Sequence, residues 1–129
     1  LGSNGSSLFD EIGGEAGLGG SCGIMTAPEC EMLAIVNEYR SSQGRAQLKA
    51  LDKCTVFSRD HARDMVDRNF FSHDSPTETF SARVVRYGIG YPAGENIAKG
   101  SNDVETIFNM WKNSPGHNAN MLNSGYRSL

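Results

Sequence analysis

The residues best suited to chemistry in this chain are two histidines and a carboxylate placed in irregular segments or at a helix start. The chain has only three histidines. His73 lies in an irregular stretch, Phe70-Phe71-Ser72-His73-Asp74-Ser75-Pro76, where the scaffold can hold an imidazole and still leave it open to solvent. His117 follows Pro115-Gly116 at an expected helix start, where the helix dipole favours the neutral imidazole that binds metal or accepts a proton. Glu95 sits in Gly94-Glu95-Asn96, and a carboxylate held beside glycine could orient one of these rings. His61 reads differently: it falls mid-helix, four residues from both Phe57 and Met65, so a structural role is expected. No H-E-x-x-H, P-loop or G-x-S-x-G is present, so spacing alone defines no motif.

The elements that must position these residues are mostly helical. Thr26-Ala27-Pro28-Glu29 combines a capping hydroxyl, a first-turn proline and a capping-box glutamate, and predicts a helix with Met32, Leu33, Ile35, Val36 and Tyr39 on one face. Gly44 is its natural stop. Leu48 to Leu51 reads as a short extended piece. A second helix is expected from Asp52, as cap, to about Asn69, with Val56, Phe57, Met65 and Val66 inward and Arg59 among the solvated residues. A third spans about Phe80 to Tyr87. A fourth is capped within Asn102-Asp103-Val104-Glu105, and a last turn covers about His117 to Leu122. Strand signals are scarce.

Composition bounds the rest. At 129 residues and 14.0 kDa, 38% hydrophobic and 21% charged, the chain has length for one domain with a core. No apolar run approaches the ~18 residues of a membrane span, and the first twenty residues lack the pattern of a signal peptide. A net charge of −3 and a pI near 5.5 argue against nucleic-acid binding. Eight of the 15 glycines fall in residues 1–23, mixed with serines, so residues 1–25 read as a flexible leader or linker and 26–129 as the folded domain. The three cysteines are Cys22, Cys30 and Cys54. Cys30 and Cys54 each fall in the first turn of an expected helix, which favours their pairing and leaves one thiol free or bonded outside this chain.

In order along the chain, Phe71-Ser72-His73, Gly94-Glu95-Asn96-Ile97-Ala98 and Trp111-Lys112-Asn113-Ser114-Pro115-Gly116-His117-Asn118 resemble the CAP superfamily. This is the SCP domain of cysteine-rich secretory, antigen 5 and pathogenesis-related 1 proteins, and the likeness is greatest to its bacterial secreted branch. The resemblance runs from about Thr26 to the C-terminus. It implies an α+β fold, an α-β-α sandwich with an open cleft, at whose base two histidines and two glutamates meet. His73, Glu95 and His117 match three of these four. The fourth position, three residues after Trp111, is Ser114.

The resemblance further implies a weakly bound divalent metal, zinc foremost, on His73 and His117, with Glu95 and Ser114 behind the imidazoles. It places two more strands of the sheet beyond Gly125-Tyr126, so the domain is expected to be C-terminally incomplete and predominantly helical. The function expected is a secreted or cell-envelope module that binds a lipid, carbohydrate or protein partner without catalysis. The alternative is a metal-assisted peptidase or esterase in which Glu95 is catalytic.

Overall fold

The computed structural model describes residues 22–129. Five helices organise them: α1 (Ala27–Ser42), α2 (Asp52–Asp67), α3 (Phe80–Arg86), α4 (Val104–Lys112) and α5 (Pro115–Met121). Among the described residues the only β-pairing is an isolated parallel bridge between Lys49 and Ser128, so the α layers of the expected sandwich dominate. Three backbone hydrogen bonds build that bridge: Lys49 N–H to Arg127 O, Leu129 N–H to Lys49 O and Leu51 N–H to Leu129 O, at 3.0, 2.9 and 2.9 Å.

Local chemistry explains the helix boundaries. Thr26 and Glu29 form the reciprocal capping box at α1, and Asp103 accepts from the Thr106 N–H to cap α4. The second helix departs from expectation at its start. Leu51 occupies the N-cap without a side-chain bond, and the Asp52 carboxylate accepts instead from the Ile24 N–H at 3.1 Å. That bond ties the approach to α1 against the start of α2. Arg59 is likewise not simply solvated: its guanidinium meets Glu29 at 2.6 Å. Burial raises the Glu29 pKa, but the hydrogen bonds from Arg59 and the Thr26 backbone outweigh it, leaving the carboxyl below its ordinary range.

The core forms where α1 crosses α4, with Met32, Leu33 and Val36 against Phe108 and Trp111, closed below by Leu48, Met121 and Leu129. Tyr39 meets Phe108 edge-on at 5.6 Å. Two buried polar residues of α1 fix the chain around this core. Asn37 bonds both the N–H and the C=O of Leu48, as a neighbouring strand would, at 2.7 and 2.9 Å. Arg40, 1% exposed, donates to Ala46 O, Met121 O and Asn123 O, neutralising carbonyls where α5 ends. On α2 the expected inward set is only partly inward: Phe57 is buried, whereas Val66 is 80% exposed and Val56 36%. The helix has one covered face, too narrow to take Val66.

The cysteine expectation is corrected. The disulfide joins Cys22 to Cys30, not Cys30 to Cys54, across a Cα–Cα distance of 5.8 Å. The turn closed by Met25 N–H on Cys22 O, at 3.0 Å, folds Cys22 back beside the first turn of α1. Cys54 is left as a free, buried thiol, and burial pushes its pKa up.

Candidate functional site

His73 follows α2 in the loop that leads to α3, and the loop is pinned at both ends. His61, 2% exposed on α2, lies 2.7 Å through Nε2 from Ser72 O, so the helix holds the residue just before His73. On the far side, Asp74 accepts from the Phe80 N–H at 2.7 Å as α3 begins. The His73 ring meets Phe80 edge-on at 6.3 Å.

Glu95 lies in the segment between α3 and α4, with its side chain 3% exposed. His73 Nδ1 is 2.9 Å from Glu95 Oε1. A carboxylate only accepts, so the ring proton sits on Nδ1 and the Nε2 lone pair is left for another group. Arg83 of α3 completes the arrangement: it donates to Oε1 at 2.9 Å, to Oε2 at 3.1 Å and to His73 O at 2.8 Å. Its guanidinium stacks over Phe57 at 4.5 Å and lies 5.6 Å from the Phe80 ring. Arg83 is 3% exposed, so this is a buried, charge-assisted fork. Sequence reasoning missed it. Arg83 looks like one more basic residue on a short helix, and its only legible signal is its three-residue offset from Phe80 on the face that carries Val84.

His117 is held by different chemistry. Its Nδ1 lies 2.9 Å from Ser114 Oγ. Ser114 occupies the N-cap of α5 yet makes no side-chain cap bond, because its hydroxyl is turned to the ring. Burial lowers the His117 pKa, and His73 lowers it further whenever that ring is protonated, so the neutral His117 ring is favoured. The main chain of His117 is anchored by Asn96 Nδ2 to His117 O at 3.3 Å. Asn96 Oδ1 in turn accepts from Asn120 at 2.9 Å, and Asn120 Oδ1 accepts from the Tyr126 hydroxyl at 2.8 Å. Gly94 is required beside this network, since a Cβ there would collide with Asn120 Oδ1 and the Tyr126 hydroxyl.

His73, Glu95 and His117 line one open cavity of about 560 Å³, together with Asn96, Asn120 and Tyr126. Ser114 stands behind His117 rather than at the cavity wall. Among the described residues no group of three or more His, Cys, Asp or Glu side chains could hold a metal ion. Of the two imidazoles that line the cleft, one is backed by a carboxylate and the other by a hydroxyl. No helix among the described residues is long and apolar enough to cross a membrane.

Residues 33–129 match the sequence family described as the cysteine-rich secretory protein family, CAP. The chain is 36% identical over 107 residues to the uncharacterized protein YkwD of Bacillus subtilis, covering 81% of this chain and 42% of that protein. It is 33% identical over 110 residues to the uncharacterized membrane protein YlbC of the same organism, covering 82% and 31%. The chain thus spans less than half the length of these two relatives. Among solved structures, it is similar to an extracellular SCP-domain protein of Bacillus anthracis, with 35% identity and a TM-score of 0.71 over 75% of this chain and 33% of that one. An outer surface protein of Borrelia burgdorferi, 18% identical with a TM-score of 0.64 over 72% and 70% of the two chains, shares the fold.

Proposed function

Given that the chain belongs to the cysteine-rich secretory protein (CAP) family, we propose that it is an extracellular binding domain whose cleft takes a divalent cation on His73 and His117 and does no catalysis. The donor set suits this. His73 offers Nε2, because Nδ1 is bonded to Glu95, and His117 favours its neutral form. Two imidazoles without a thiolate or a third protein ligand make a weak site with open positions, lost as the rings protonate. What a bound zinc ion would supply is a positive charge open to a carboxylate, carbonyl or phosphate of a partner. The partner on this reading is a lipid headgroup, a carbohydrate or a protein side chain entering the open cavity of about 560 Å³.

The observation that carries the non-catalytic reading is the commitment of Glu95. Both of its oxygens accept from the buried Arg83 guanidinium, and one also accepts from His73. A carboxylate so held is poorly placed to take a proton from water, the role a hydrolase would need it for. The fourth carboxylate expected of the family is Ser114 here, which cannot replace it.

Calorimetry with zinc on the wild type, His73→Ala and His117→Ala tests the reading, alongside a panel of peptide and ester substrates. Weak binding lost in each variant, with no turnover by the parent, is expected. Turnover abolished by both substitutions would make the domain an enzyme, and zinc binding untouched by either would remove the site.

A further inference from the structure

The turn that follows α5 is gripped by three arginines. Arg40, 1% exposed on α1, donates to Met121 O and Asn123 O at 2.7 and 3.0 Å. Arg45 donates through Nε to Leu122 O at 2.9 Å. Arg127 donates through Nη1 to Ser124 O at 2.9 Å and to Tyr126 O at 3.3 Å. Interleaved carbonyls of residues 121–126 thus draw three guanidiniums to one short turn. Their closeness is felt at the buried one: burial lowers the Arg40 pKa, and the charges of Arg45 and Arg127 lower it further.

No anion in the protein answers this cluster. None of the ion pairs among the described residues includes Arg40, Arg45 or Arg127. The carbonyls offset only a small part of the charge, since a helix C-terminus is worth about half a negative charge. The chain as a whole carries −3, so the patch is a local excess of cation on an acidic protein. Buried charges are ordinarily paired, and Arg40 is not.

The two outer arginines are open to a ligand, because Arg45 and Arg127 are both exposed. The terminal nitrogens of Arg45 and the Nε–Nη2 edge of Arg127 have no hydrogen-bond partner among the described residues. A guanidinium edge presents two parallel N–H groups that match two oxygens of a carboxylate or phosphate. A carboxylate brings one charge and two oxygens. A phosphate brings up to two charges and oxygens on several sides, enough to meet both arginines.

We propose that Arg45 and Arg127, over the buried Arg40, form a site for a phosphate group on the turn after α5. The site uses neither His73 nor His117 and is independent of any metal in the histidine cleft.

Inorganic phosphate is the first probe, titrated into metal-free protein at constant ionic strength set with chloride and followed through the arginine Nε–H resonances. Saturable shifts of the Arg45 and Arg127 signals are expected. The Kd should rise by roughly 10- to 100-fold in the Arg45→Gln/Arg127→Gln double variant, the effect of losing charge-assisted hydrogen bonds. Arg63→Gln, which removes an exposed arginine of α2, should bind as the parent does. Vesicles of phosphatidylglycerol in phosphatidylcholine form the second arm. Co-sedimentation lost in the double variant makes a lipid headgroup the source of the phosphate, and binding of inorganic phosphate without vesicle retention makes it a free one. The proposal is overturned if neither probe binds, if the double variant binds as the parent does, or if Arg63→Gln weakens binding as much as the double variant.

Discussion

The two histidines of the cleft are anchored by opposite means. His73 rests on a buried carboxylate that a buried arginine grips with two nitrogens, while His117 rests on the hydroxyl of Ser114. The first anchor is charge-assisted throughout and braced by aromatic rings; the second is a single neutral contact on a helix of 7 residues. One half of the cleft is thus electrostatically committed, with its tautomer fixed by a group that can only accept. The other is adjustable, because a serine hydroxyl can donate or accept. The ring whose neutral form is favoured by burial is the one with the weaker anchor.

The sharpest way to break this contrast is at Arg83. Arg83→Met should leave the buried Glu95 carboxylate without its cation, held by His73 alone, and cost about 3–5 kcal/mol, read by denaturant unfolding. A loss below about 1 kcal/mol would mean that the fork does not hold the His73 half. Next is Gly94→Ala, whose Cβ must displace Asn120 and Tyr126. A cost of about 1–3 kcal/mol is expected, with resonances of the His117 half moving more than those of His73.

Changes at Ser114 should be milder and more informative. Ser114→Ala is expected to cost about 0.5–1.5 kcal/mol, far less than Arg83→Met. Ser114→Glu would place a carboxylate behind His117 and make the halves alike. In an NMR pH titration His117 should then titrate at higher pH than in the wild type, and an unchanged titration would show that residue 114 does not set its charge. The smallest effect is on stability against pH. His117 lies below the ordinary imidazole value, so the unfolded chain takes up its proton first. Its contribution to stability is complete above about pH 6.5 and is lost as pH falls through the lower folded-state value. Replacement by Gln should flatten that part of the pH profile, measured by melting temperature.

Much of the helical frame was legible because its signals are local. The Thr26/Glu29 box and the Asp103 cap involve residues within one turn, and the structure places both as written in the chain. The boundary at Asp52 was misread because its carboxylate is claimed by Ile24, 28 residues away. Val66 was misassigned because apolar spacing shows which face a helix could bury, not how much cover is available. The start of α5 lies at Pro115 rather than about His117, since proline suits the first helical position.

The candidate site divides the same way. The types and order of His73, Glu95, Ser114 and His117 could be read from three short motifs, because each motif also sets the turn or helix start on which its residue stands. Arg83 could not, since its role depends on Glu95 lying beneath it from another segment.

The sequence by itself determined most of the helical frame, the caps at Thr26 and Asp103, the candidate imidazoles and the CAP family likeness, all carried by residue type at short range. Tertiary structure decided which groups meet. It paired Cys22 rather than Cys54 with Cys30 and placed Arg83 on Glu95. The physical reason is range. A cap or a helical face is settled within a few residues, whereas disulfides, buried ion pairs and cavity walls depend on distances and burial that exist only once α1 to α5 are packed.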